Sequence, residues 1–392
     1  MQVTQLVRLF CSHYPQADFP GKFWAFLEEQ EKLGHPIRRV TTGQPLLAFL
    51  EGLGVSRETC SVLLDQDSRW VLKPSFPDLL ACTPAELDAY FADRFETVFA
   101  LQETVLDSEM LTGFNRHGRE HLHSVTQTML ALLREVNAQA EIPAPVDART
   151  QNEAMIAGYL HDIGNLMSRK EHGIYGIYLV SQLFTDVDRD PQTLASFLRV
   201  LESVLFHEVE FGSRMPSLGD LSPVTLSLIV ADKTDVSFRR VSSKSNVPEA
   251  IWDAHMLVNL LTGASRLVCR KRSFDWEIHF KPKLHPDEAN QFSALLKRGE
   301  RVWVPADWQK LYRTANIEYV LIFQATFLRV YFSRLAFAIR AMFALKPSLT
   351  TFRLVIEDDE RGVSLNRIFT RDDYEAKVKM IANNLFKNNG GE

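Results

Sequence analysis

Cysteine is scarce in this chain of 392 residues: Cys11, Cys60, Cys82 and Cys269 lie far apart, with no CxxC spacing. That excludes a disulfide scaffold and a zinc ribbon, and leaves plain buried thiols as the expectation. Neither sign of charge dominates. A net charge of -5 exerts no global pull on nucleic acid or anionic lipid, so no duplex nucleic acid is expected as a partner. A phosphorylated ligand would have to be held by a local site. Long apolar runs are also missing. The most hydrophobic stretch, Ile317 to Leu345, is broken by Arg329, Arg334 and Arg340, whereas a spanning helix needs roughly 20 mostly apolar residues. It reads as a buried helix, with no membrane as partner. The opening MQVTQLVRLFCSHYPQ lacks a basic start followed by an apolar run, so a cytoplasmic location is expected. No internal repeat or low-complexity segment is visible.

What is present is ordinary globular composition, 46% hydrophobic and 24% charged, in a chain long enough for more than one core. The pattern is mainly α. Residues 1–99 show short helical segments broken by Pro15, Pro20, Pro36, Pro74, Pro77 and Pro84, which predicts a helical N-terminal domain. Within it, Thr83 followed by Pro84 and acids reads as a capped helix start. Residues 100–250 are helical again, with a loop from Glu141 to Thr150 between a helix ending near Val136 and one beginning near Asn152. Residues 251–392 turn to alternating, β-rich runs, Ser265 to Pro282 and Phe352 to Asp358, around helices, which predicts a small α+β domain.

The central segment holds six of the eleven histidines, between His117 and His207. In HGREH, His117 and His121 are four apart, so on a helix both rings leave the same face, as two ligands of one metal would. His123 points elsewhere. In AMIAGYLHDIGN, an apolar helix ends in adjacent His161 and Asp162, with Gly164 and Asn165 as its break. A carboxylate in such a place needs a cation or a hydrogen-bonded partner. His172 follows eleven residues after His161, about 16 Å along one unbroken helix at about 1.5 Å per residue, so the chain must turn between them. His207 ends another apolar run and precedes Glu208 and Glu210. Asp232 follows LSLIVA and precedes Lys233 and Asp235. Several core helices each delivering one His or Asp to a common point is how bundles build internal metal sites. One such histidine alone would read as an ordinary core or surface residue; the combination points to a shared site. His13, His35, His123, His255, His279 and His285 read as structural or surface residues. Lys233, Arg239 and Arg240 read either as a solvated helix face or as phosphate contacts.

These residues resemble the HD superfamily of metal-dependent phosphohydrolases, whose signature is a His, an adjacent His-Asp and a distal Asp, here His121, His161 with Asp162, and Asp232. The wider string is similar to a bacterial and archaeal branch with HGxxH, HDIGN, a following HG, a further His and an ADKSDV-like segment. This chain has HGREH, HDIGN, His172-Gly173, His207 and ADKTDV (Ala231 to Val236). The likeness covers roughly residues 110 to 245 and reaches the C-terminal part only loosely. It implies a helical HD core in which His121, His161, Asp162 and Asp232 hold one divalent metal. Asp162 would bridge to a second held by His172 and His207, with His117 nearby.

Mixed imidazole and carboxylate ligands suit manganese, iron, nickel or zinc, one or two ions. The implied activity is hydrolysis of a phosphate ester of a nucleotide or related small metabolite by a metal-activated water. Asp162 would belong to the catalytic centre, Lys233 or Arg240 would stabilise the leaving side, and Asp235 or Glu208 would orient the water or support a ligating histidine. A homodimer is open as an assembly. Asn165 stands where cyclic dinucleotide phosphodiesterases of the superfamily carry Lys, and no GYP triplet follows. HDIGNL lacks the acidic pair of guanosine tetraphosphate hydrolases, so both of those substrates are disfavoured. Ser237 and Phe238 stand where the branch usually has His and Arg, which implies altered phosphate-side contacts. Two other readings remain: a di-iron oxygenase on the same scaffold, and a nucleotide-sensing domain without turnover.

Overall fold

The computed structural model describes residues 3–14, 19–33, 74–95, 99, 118–138, 146–167, 171–208, 217–237, 240, 259, 262–280, 332–358 and 363–372. The chain divides into two compact units, with the described residues up to Asp232 in one and those from Lys233 onward in the other. The first is built of helices: α1 (Val3–His13), α2 (Gly21–Leu33), α3 (Phe76–Ala81), α4 (Pro84–Arg94), α5 (Arg119–Ala138), α6 (Ala148–Leu160), α7 (His172–Leu183), α8 (Pro191–Phe206) and α9 (Pro223–Thr234). Short 3-10 turns occupy Ile163–Leu166 and Leu218–Asp220.

Helix starts follow local chemistry. Thr83 and Glu86 form a reciprocal capping box, the Glu86 N–H donating to Thr83 Oγ1 at 3.3 Å and the Thr83 N–H to Glu86 Oε2 at 2.8 Å, with Pro84 just inside the helix. Helix α6 begins at Ala148, earlier than the expected start near Asn152. Asp147 accepts the Thr150 N–H at 2.8 Å and caps it there.

Helix α6 is the centre of this unit. Every residue from Asn152 to Leu160 is buried, because α3, α4, α5 and α8 all pack against it. Its polar positions are therefore matched individually. Asn152 Nδ2 donates to the Leu80 and Cys82 carbonyls at 3.0 and 2.7 Å, closing the C-terminal end of α3. The fully buried Glu153 carboxylate meets Arg199 of α8 in a two-point pair of 2.8 and 2.6 Å. Removing Arg199 would leave that buried carboxylate without its cation. Helix α5 offers α6 a stripe at three- and four-residue spacing, His121, Leu122, Val125, Met129, Leu132, Leu133 and Val136. His121 thus enters the interior as part of an apolar face.

The described N-terminal helices fall in the same compact unit as the central helices. The reason is shared apolar burial. Phe26 meets Tyr178 of α7 edge-on with ring centroids 4.9 Å apart, and Tyr14 meets Phe206 of α8 at 5.0 Å while its hydroxyl donates to the buried Glu202.

The second unit carries a four-stranded sheet, β1 (Thr262–Cys269), β2 (Ser273–Phe280), β3 (Thr351–Asp358) and β4 (Val363–Thr370), in that spatial order. The run from Ser265 to Pro282 resolves into the β1–β2 hairpin. Strands β2 and β3 pair in parallel, which demands a crossover, and α10 (Phe332–Leu345) lies within that connection. Of the apolar stretch from Ile317, the part described is this helix, buried from Ala336 to Ile339 and at Ala341, Met342 and Phe343; the rest lies outside the described residues. Phe274, Trp276 and Ile278 register with Phe352, Leu354 and Ile356, giving a buried face. On the opposite face Asp275, buried to 1%, accepts from Arg353 Nη2 at 2.6 Å and Arg270 Nε at 2.8 Å. Among the described residues, no helix is long and apolar enough to cross a membrane.

Burial works against the Asp275 carboxylate, but the two guanidiniums outweigh it and hold its pKa below the ordinary value. The pair's contribution is therefore complete above about pH 3.9 and is lost as pH falls through the depressed folded-state value. Asp275→Asn is expected to lower local stability by about 1–2 kcal/mol at pH 7, discounted for the half-exposed arginines. The difference should shrink in acid. Hydrogen exchange of the β2 and β3 amides checks this, and equal protection at pH 7 in both proteins would refute it. In the helical unit, a Cβ on Gly164 would sit 1.8 Å from the His172 carbonyl oxygen. Gly164→Ala should therefore cost about 3 kcal/mol in chemical unfolding, where an exposed glycine would tolerate alanine.

Candidate metal centre

Four helix ends and one helix face converge in the first unit. His121 sits in the first turn of α5, and His161 and His207 are the C-terminal cap residues of α6 and α8. Asp162 follows at the start of the 3-10 turn, His172 opens α7, and Asp232 lies in the last turn of α9. The turn after Asp162 is what the spacing of His161 and His172 required. It folds α7 back so closely that Gly164 lies against the His172 backbone.

Asp162 is the hinge of the cluster. Its Oδ2 lies 3.5 Å from His121 Nε2 and 3.3 Å from His161 Nε2, while its Oδ1 lies 3.2 Å from His172 Nε2 and 3.5 Å from His207 Nε2. Asp232 Oδ1 closes the first group, 3.4 Å from His121 Nε2 and 3.8 Å from His161 Nε2. The five residues other than Asp232 are all buried, His161 to 0% and Asp162 to 2% exposure. Two sets of metal-ligating atoms result, His121, His161 and Asp162, and Asp162, His172 and His207, sharing one carboxylate.

The tautomers follow from the surroundings. His161 Nδ1 lies 2.8 Å from the Gly158 carbonyl and His207 Nδ1 2.8 Å from the Val204 carbonyl. A carbonyl only accepts, so both rings carry hydrogen at Nδ1 and turn an Nε2 lone pair inward. His172 is held differently, with Nδ1 3.0 Å from Glu208 Oε1. The centre is thus lined by lone pairs and carboxylate oxygens. His161 Nε2 is buried there with no hydrogen-bond partner, and His172 Nε2 and His207 Nε2 approach to 3.0 Å. Buried acceptors this close need a proton or a metal ion between them, and the donor set fits a divalent metal.

The protonation balance agrees. Burial alone would depress the His172 imidazolium, but Asp162 and Glu208 outweigh it and raise the pKa to about 9. His207, fully buried, is pulled down to about 4, chiefly by desolvation.

Of the other expected site residues, His117 and Arg239 lie outside the described residues. Lys233, Asp235 and Arg240 continue the chain beyond Asp232 but fall in the second unit. There Arg240 is buried rather than on a solvated face, donating through Nη1 to the Asp235 carbonyl at 3.0 Å with Nε 3.8 Å from Asp235 Oδ2. His123 Nδ1 lies 2.9 Å from the Tyr159 hydroxyl and His13 Nδ1 2.8 Å from the Leu9 carbonyl, while His279, in the second unit, lies 3.6 Å from Glu357. The carbonyls of Gly158 and Val204, which orient two of the rings, carry no mark in the sequence.

No family model, curated protein or solved structure matches this chain.

The two groups make separable demands. Metal analysis should find His161→Ala and His207→Ala each losing about one equivalent relative to the wild type, and Asp162→Ala losing both. Full retention of metal by Asp162→Ala would rule out the shared-carboxylate arrangement.

Proposed function

We propose that this chain is a metal-dependent phosphohydrolase of the HD type, cleaving a phosphate ester of a nucleotide or related small metabolite. The observation that carries the reading is the split presentation of Asp162, one oxygen to His121 and His161 and the other to His172 and His207. In this reading His121, His161, Asp162 and Asp232 hold one ion and Asp162, His172 and His207 a second, with manganese, iron, nickel or zinc as the candidates. Such ions, when bound, lower the pKa of water toward neutrality and offset charge on phosphoryl oxygens. The protein's own part is orientation. The carbonyls of Gly158 and Val204 and the carboxylate of Glu208 aim three imidazoles inward, so little reorganisation accompanies the reaction. Lys233 and Arg240 are proposed for the leaving side and Asp235 for the water, roles resting on the family resemblance.

The same buried, carboxylate-bridged imidazole set also suits a pair of irons, which keeps the oxygenase reading as the alternative. A non-catalytic sensor is less favoured, because the ligands a degenerate site would lose are retained here.

The test is a phosphate-release screen over nucleotides and sugar phosphates with manganese, nickel or iron(II) added, alongside oxygen-uptake measurements. Release that depends on added metal and falls about a hundredfold or more in His161→Ala/Asp162→Ala is expected. Oxygen uptake with iron alone, and no phosphate from any substrate, would replace the hydrolase with the oxygenase.

A further inference from the structure

We propose that Glu208 is the positioning residue of the half-site formed by Asp162, His172 and His207, and that its single carboxylate couples cation capture there to the docking of α7 on the end of α8. The inference rests on the metal-site reading above and deepens it.

The carboxylate is shared between two donors. Oε1 lies 3.0 Å from His172 Nδ1, and Oε2 accepts the Gly173 backbone N–H at 2.8 Å. The second bond replaces a missing cap. Glu171, the residue before α7, makes no side-chain cap bond, and its carboxylate instead lies 2.6 Å from Lys22 Nζ. The first turn of a helix has N–H groups without intrahelical acceptors, and here one is met by a residue just past the C-terminal cap of α8. That requires a very close approach. A Cβ on Gly173 would lie 2.8 Å from the Leu205 carbonyl oxygen and 3.1 Å from that of Val204. Glycine is therefore what lets α7 reach Glu208.

The consequence is an asymmetry among these three imidazoles. His161 and His207 lean on neutral carbonyls, whereas His172 leans on a carboxylate. A carboxylate partner fixes the Nδ1–H tautomer and makes Nε2 a stronger donor to a metal. His172 Nε2 is also the atom that α7 must bring to Asp162 Oδ1. Loss of the Glu208 carboxylate thus both weakens the ligand and loosens the helix that delivers it. His121, His161 and Asp232, on α5, α6 and α9, are untouched by it.

The experiment is a zinc titration of the full-length metal-free protein, comparing wild type with Glu208→Gln and Glu208→Asp, with hydrogen exchange of the α7 amides in the same samples before zinc is added. In Glu208→Gln, affinity for the second equivalent should fall about 10- to 100-fold while the first stays within about twofold. Protection of the first turn of α7 should drop in the metal-free protein. Glu208→Asp keeps the charge and should retain more second-equivalent affinity than the isosteric Gln. The reverse order, Gln better than Asp, would make the role one of packing and overturn the proposal, as would an unchanged second equivalent in both variants. Equal loss of both equivalents in a protein whose other helices keep their protection would overturn it too. A wild type that takes up no zinc would overturn the metal-site reading itself, a result distinct from two equivalents that ignore Glu208.

Discussion

A carboxylate 2% exposed, with imidazoles on both sides of it, constrains everything around Asp162. Desolvation penalises its charge, and the neighbours that face it most closely offer lone pairs when neutral. The arrangement is tolerable only with positive charge in the middle, a proton or a metal. Four of the helices around it place a His or Asp at or near an end. Helix ends are where a side chain can leave an apolar run without burying unmatched backbone, and where the chain turns sharply enough for residues eleven apart, His161 and His172, to meet one carboxylate.

The apolar architecture sets those ends. Helix α6 is enclosed by α3, α4, α5 and α8, so its direction is determined by packing, and His161 and Asp162 emerge wherever it stops. Of the N-terminal helices, α3 and α4 contribute to this enclosure, α3 bonded to Asn152, while Tyr14 and Phe26 tie α1 and α2 to α8 and α7. They are part of the scaffold of the centre, although nothing in their own composition suggests chemistry. The resulting site is rigid where it leans on backbone carbonyls, and depends on one exchangeable side-chain contact where it leans on Glu208.

The proposed HD-type chemistry rests on residue types whose motifs resemble that superfamily's, so it is no broader than those residues allow. Imidazoles and carboxylates without thiolates point to a borderline divalent metal and to water or oxygen chemistry. The residues beyond Asp232 belong to the second unit. There Arg240 is engaged with Asp235 inside its own unit, so its cationic group is already partly committed.

Much of this was legible in the one-dimensional pattern because it is local. The buried stripe of α5 containing His121, the helix break after His161-Asp162, the Thr83 cap and the β2 and β3 runs all follow from short-range periodicity and capping chemistry. Strand β4 was not, since VSLNRIFT alternates only weakly and its register is imposed by β3. The start of α6 was misplaced because a single Asp147 cap outweighed the loop-like composition before it. Which oxygen of Asp162 faces which imidazole, the commitment of Glu208 to His172 and Gly173, the burial of Arg240 and the membership of the N-terminal helices in the central unit were decided only in three dimensions. Each depends on the distance between segments far apart in the chain, and that distance is set by how whole helices pack. By itself the sequence determined the ligand residues, and its family resemblance implied that Asp162 is shared; tertiary packing decided which oxygen of that buried carboxylate each imidazole meets, because that depends on how whole helices pack.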